Sequence, residues 1–141
     1  MIGIVLIGHA CIASEMVQAL QHVVGEEPLI ASIDVKSDIN TGSLAESLKI
    51  QIQACDVGEG VLLLADMFGG TPCNIAMGFL QPGHVEVISG FNLPLLIKAT
   101  SLRHHEKDLI KFAQQVAKSG RQYIQMAPNI VLNDHVEPAD G

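Results

Sequence analysis

The run Ile2-Gly3-Ile4-Val5-Leu6-Ile7-Gly8-His9 constrains this chain more than any other stretch. It is apolar, rich in β-branched residues and free of polar alternation, the pattern of a strand buried on both faces of a parallel sheet. A second run, Val61-Leu62-Leu63-Leu64-Ala65, has the same character. The first run ends on His9, and the second is followed at once by Asp66. Ligands of open α/β sheets bind beyond the carboxyl ends of the strands, so these two residues are expected at a site and not in a core.

The intervening segments read as alternating helices and strands. Cys11 to Val24 has apolar residues at helical spacing and a closing Gly25, and Leu29 to Val35 reads as a strand. Ser43-Leu44-Ala45-Glu46 has the capping-box pattern and predicts a helix start, with Leu44, Leu48, Ile52 and Cys55 on one face. Thr71 is expected to cap a further helix with Pro72 at its first position, ending near Leu80. His84 to Ser89 reads as a fourth strand, Asn92 as the cap of the next helix, and Leu109 to Ala117 as a last helix closed by Gly120.

Such alternation predicts an α/β fold with a mostly parallel sheet in the order 2-1-3-4 and helices on both faces. That order makes the first and third strands neighbours and brings His9 beside Asp66. The 141 residues fit one domain, taken as 1–120, and leave a tail at 121–141 with room for one extra edge strand before a flexible end.

Several function classes are disfavoured. A net charge of −7 argues against a nucleic-acid partner. No apolar run approaches the ~20 residues of a membrane span and no signal-peptide pattern opens the chain, so a cytoplasmic protein that is not membrane-embedded is expected. The cysteines Cys11, Cys55 and Cys73 form no C-x-x-C pair and read as reduced thiols, Cys55 and Cys73 in packing roles and Cys11 as a small residue near the site.

A carboxylate that accepts a hydrogen bond from one imidazole nitrogen fixes the tautomer and leaves the lone pair of the other nitrogen free. His9 then becomes a directional nucleophile with Asp66 as its orienter, and a free imidazole, titrating near ~6.5, needs no further base at neutral pH. The Gly69-Gly70-Thr71-Pro72 turn suggests the electrophile. A helix N-terminus with open amides stabilises an anion such as a phosphoryl group, and Gly69, Gly70, Thr71, Cys73 and Asn74 are the expected cradle. Phosphoryl transfer relies mainly on positioning and charge stabilisation, so neither a metal nor another cofactor is expected. No P-loop or G-x-G-x-x-G is present, which argues against a nucleotide as direct donor.

Ile4-Val5-Leu6-Ile7-Gly8-His9, Leu63-Leu64-Ala65-Asp66-Met67-Phe68-Gly69-Gly70-Thr71-Pro72-Cys73-Asn74 and Gly90-Phe91-Asn92-Leu93-Pro94 resemble, in order and spacing, the three signature segments of the mannose-family enzyme IIA domain of the bacterial phosphoenolpyruvate:sugar phosphotransferase system. The resemblance covers about residues 1 to 120. It implies that His9 takes a phosphoryl group from the phosphorylated carrier protein HPr and passes it to a IIB component, here a separate protein. It further implies that Asp66 hydrogen-bonds His9, that Thr71 lies next to the phosphoryl group, and that the protein is a homodimer in which a C-terminal strand pairs with the other subunit. Association with a membrane permease complex, or a role in a regulatory phosphorelay, is compatible with it.

Two other readings compete. One is a regulatory binding protein whose contacts depend on its phosphorylation state without onward transfer. The other is a metal-dependent hydrolase built from His9, Asp66 and His104 or His105.

Overall fold

The computed structural model describes residues 1–38 and 40–128. Four strands, β1 (Gly3–His9), β2 (Ile30–Val35), β3 (Val61–Ala65) and β4 (Val85–Ser89), alternate with helices α1 (Ile12–Val24), α2 (Thr41–Cys55), α3 (Gly70–Met77), α4 (Leu93–Leu102) and α5 (Leu109–Gln122). The strands pair in parallel in the order β2-β1-β3-β4, as the sequence pattern implied.

Both faces of the central strands are buried, which explains the unbroken apolar runs. Ile4 and Leu6 of β1, with Leu62 and Leu64 of β3, pack beneath α1, α4 and α5 through Leu20, Leu96, Phe112 and Val116. Val5, Ile7, Leu63 and Ala65 point the other way, onto Leu44, Leu48 and Ile52 of α2 and Ala76 of α3. Period-two alternation within a wholly apolar strand thus feeds two separate cores.

Three helix boundaries differ from the sequence reading. Asn40, not Ser43, caps α2, its side chain accepting a hydrogen bond from the Ser43 amide at 3.1 Å. Asn is as good a cap as Ser, and the earlier polar residue took the role. Gly69 caps α3, which places Thr71 and Pro72 inside the first turn. Gly120 does not end α5; it is buried within the helix, where a Cβ would come within 2.9 Å of Leu95, so close packing and not a turn explains the glycine. Asn92 caps α4 as expected, accepting from the Leu95 amide at 2.9 Å.

The amino end of the sheet is closed by one side chain that the sequence reading left in a polar break. Arg103, wholly buried, donates to the carbonyls of Ile2, Leu29 and Pro28 and pairs with Glu27. Residues 123–128 form no strand, and the rest of the tail in which an extra edge strand is expected lies outside the described residues. No helix among the described residues is long and apolar enough to cross a membrane.

Candidate functional site

Strand register brings the two titratable residues together. Ile7 pairs with Ala65, so Asp66 continues β3 alongside Gly8, and its amide donates to the Ile7 carbonyl at 3.2 Å. Gly8 is what permits this approach: a Cβ there would lie 3.3 Å from the Asp66 side chain and would collide with Ile12. One Asp66 oxygen accepts both the His9 backbone amide at 2.9 Å and His9 Nδ1 at 2.7 Å, while the other accepts the Met67 amide at 3.0 Å.

Burial disfavours ionisation of Asp66, but the amide and ring of His9 and the Met67 amide outweigh it and hold the carboxyl below its ordinary value. An ionised carboxylate can only accept, so Nδ1 carries the proton and the neutral ring keeps its lone pair on Nε2. The carboxylate side chain is 9% exposed and the imidazole 49%. A shielded orienter therefore presents an open ring.

Nε2 faces the start of α3. A Cβ on Gly70 would lie 3.3 Å from both Cε1 and Nε2 of His9, and Gly70 has φ +78, a conformation that other residues adopt only with strain. The Gly69 cap makes no side-chain hydrogen bond to the helix. Leading amides of a helix have no intrahelical acceptor, which here leaves those of Gly70 and Thr71, Pro72 having no N–H. Thr71 is exposed and its hydroxyl is not spent on capping. Asn74, also exposed, lies one turn beyond Gly70 on the same face of the helix. The thiol of Cys73, by contrast, is buried in the core beneath α3, leaving only its backbone near the helix mouth.

The loop after His9 holds features that the sequence reading missed. Ala10 adopts φ +51, rare outside glycine, and its amide donates to the Val35 carbonyl at 3.0 Å. Lys36, the next residue after β2, thereby comes alongside this loop, and its Nζ donates to Cys11 Sγ at 2.8 Å. Ser14, in the first turn of α1, donates its amide to one Asp34 oxygen at 3.0 Å and its hydroxyl to the other. These pairs join segments 20 or more residues apart, and only the β1–β2 register reveals them. Met67 and Phe68, 55% and 77% exposed, follow Asp66 directly in the turn that leads into α3 and give this end of the sheet an apolar surface.

The hydrolase reading fails on distance. His104 and His105 follow Arg103, whose guanidinium is bonded to the amino ends of β1 and β2. Seven residues of β1 separate that end from His9, roughly 20 Å at the rise of a strand. They cannot share a metal with His9 and Asp66.

Residues 3–117 match the family model described as PTS system fructose IIA component, EIIA-man. The chain belongs to this family. It is 28% identical over 125 residues to the PTS system mannose-specific EIIAB component of Escherichia coli K12, a match covering 88% of this chain and 39% of the relative. The chain thus spans well under half the length of that two-part protein. It is 26% identical over 140 residues to the PTS system fructose-specific EIIA component of Bacillus subtilis, covering 97% of this chain and 90% of the relative. The phosphotransferase system component EIIA from Streptococcus agalactiae shares the fold, with a TM-score of 0.83, 20% identity and coverage of 92% and 99% of the two chains. Within the EIIA-man family, the strand-end imidazole, its buried carboxylate and the glycine turn of this member form one contiguous site.

Proposed function

We propose that this EIIA-man member is a phosphocarrier: His9 Nε2 attacks the phosphorus of phospho-HPr, holds the phosphoryl group at the mouth of α3, and passes it to a IIB component in sugar uptake or a regulatory phosphorelay. The observation that carries the reading is the Nδ1–Asp66 hydrogen bond of 2.7 Å, which commits one ring nitrogen and aims the other at open amides. Attack forms the N–P bond as the donor N–P bond breaks, and the proton on Nδ1 stays in place. As Nε2 loses its lone pair to phosphorus, the ring gains positive character, which the fixed Asp66 charge stabilises. Gly70 and Thr71 amides and the Thr71 hydroxyl are suited to the phosphoryl oxygens, with Asn74 one turn behind. Met67 and Phe68 offer apolar contact to each protein partner in turn.

A homodimer is part of this proposal. β4 is a terminal strand of the sheet, and a groove of about 430 Å³ lined by Val87, Ile88, Ser89, Ala113 and Ala117 runs beside it. An added strand from a second copy would cover that edge, as sheet edges generally require.

The test is intact-mass measurement after incubation with phosphoenolpyruvate, enzyme I and HPr. An acid-labile gain of one phosphoryl group is expected in the wild type, with none in His9→Ala of unchanged melting behaviour. A wild-type protein that gains no phosphoryl group would overturn the reading. One that is phosphorylated but never discharges to any IIB would instead favour the regulatory binding role.

A further inference from the structure

Each of the four parallel strands is followed by a helix, so α1, α2, α3 and α4 all open at the carboxyl end of the sheet. In three of them a side chain takes the amide of the third residue: Asp34 takes Ser14 in α1, Asn40 takes Ser43 in α2, and Asn92 takes Leu95 in α4. In α3 the third residue is Pro72, which has no N–H, and the cap is Gly69, which has no side chain. Asn40 and Asn92 cap the helices they immediately precede, whereas Asp34 reaches α1 from the neighbouring strand β2 and is the one charged group of the three. α1 depends on it, because its own cap residue, Cys11, makes no side-chain hydrogen bond. Asp34 Oδ1 accepts the Ser14 amide at 3.0 Å and Oδ2 accepts the Ser14 hydroxyl. A resident carboxylate at a helix mouth satisfies the amide and the dipole that would otherwise attract an outside anion. Register sets Asp34 opposite Gly8, the residue before His9, and Asp66 stands on the other side of Gly8. The site therefore holds two carboxylates, of which Asp66 bonds the ring and Asp34 faces α1.

We propose that Asp34 is a positioning residue for phosphoryl transfer: by filling the mouth of α1 it leaves α3 as the open one, and its charge disfavours phospho-His9 enough to keep the group transferable. The proposal rests on the carrier reading above. One strand spacing plus the reach of the side chains puts the carboxylate on the order of 10 Å from a phosphoryl group on Nε2, about one Debye length at ordinary ionic strength. Like charges at that separation repel measurably, and salt weakens the repulsion. Lys36, two residues on, is exposed and bonded to Cys11 Sγ, so it offsets Asp34 only in part. In the exchange with HPr, the donor N–P bond breaks as the His9 N–P bond forms, and no phosphoryl group is gained or lost. The equilibrium constant thus compares two phosphohistidines, and a substitution at Asp34 alters the surroundings of one of them only.

The test mixes the protein with phospho-HPr and quantifies both phosphorylated species at equilibrium by intact mass. Asp34→Asn keeps an oxygen for the Ser14 amide but loses the charge. It should shift the equilibrium toward the phosphorylated protein by about two- to tenfold at low salt, and the gain should shrink as ionic strength rises. Ser14→Ala, which loses the hydroxyl contact but keeps the charge, should leave the equilibrium at its wild-type value. Amide resonances supply a second measurement, made on the wild type and so independent of whether a variant folds. Phosphorylation should displace the Gly70 and Thr71 amides further than those of Ala13 and Ser14. Equal equilibrium constants in wild type and Asp34→Asn, or an equal shift in Ser14→Ala, would overturn the charge effect. Displacement of the Ala13 and Ser14 amides as far as those of Gly70 and Thr71 would overturn the choice of α3 over α1. A wild type that takes up no phosphoryl group refutes the carrier reading and this proposal together, whereas normal uptake with either overturning result refutes the role of Asp34 alone.

Discussion

Two strongly polar side chains at opposite ends of the sheet, Arg103 and His9, receive opposite treatment. At the amino end Arg103 is fully buried and donates to three carbonyls from two segments. At the carboxyl end His9 is half exposed, has one ring nitrogen bonded to Asp66 and turns the other toward the mouth of α3. Binding both terminal nitrogens of a buried guanidinium to acceptors, with only its Nε left unpaired, ties strands together; leaving an imidazole nitrogen unsatisfied in the open keeps it available for reaction. Burial and pairing, more than residue type, separate a structural group from a chemical one.

This contrast can be broken in both directions. The largest effect is expected from Asp66→Asn, which keeps the shape but lets the ring adopt the wrong tautomer. Rapid-quench phosphoryl uptake should fall by about 10²–10⁴-fold, with the far-ultraviolet spectrum unchanged. Arg103→Met should do the reverse, removing the guanidinium donor from the Ile2 and Pro28 carbonyls and from Glu27, while Leu29 keeps the Ile4 amide. Urea unfolding should show a loss of about 3–5 kcal/mol, with transfer per folded molecule unaffected. Gly70→Ala sharpens the contrast from the site side. A positive-φ alanine costs about 1–2 kcal/mol of stability, and its methyl would crowd Nε2, so phosphoryl uptake should drop further than stability alone explains.

The smallest effect is electrostatic. Asp66 has a folded pKa below its unfolded value, so its ionised form stabilises the fold. That contribution is complete above the unfolded carboxylate value near ~3.9 and disappears as pH falls through the folded one. The stability difference between wild type and Asp66→Asn, followed by urea unfolding, should therefore be present at neutral pH and shrink in acid. Glu59, held low chiefly by the Met1 ammonium, titrates in both proteins and cancels.

Strand order and the meeting of His9 with Asp66 were legible because both follow from local pattern plus one topological rule. An apolar run ending in a polar residue marks a central strand and its ligand end, and the 2-1-3-4 order places those ends side by side. What escaped depended on choices between near-equal candidates or on long-range register. Asn40 and Ser43 are both competent caps, and sequence cannot rank them. Gly120 looked like a terminator because glycine signals a turn and tight helix packing equally well. Arg103 sat among polar neighbours, with nothing local to say that its acceptors lie 74 to 101 residues away in the chain. Lys36 was one residue past a correctly placed strand, but its contact with Cys11 requires knowing how β2 aligns with β1.

The double acceptance by a single oxygen of Asp66 has one more effect on traffic through the molecule. Because Asp66 occupies one side of the ring, giver and taker of a phosphoryl group carried as proposed would share a single doorway and call in turn. Throughput in such a relay would rise with the supply of either protein only until the one in excess crowds out the other. The carrier would then perform best when its two clients are matched in number.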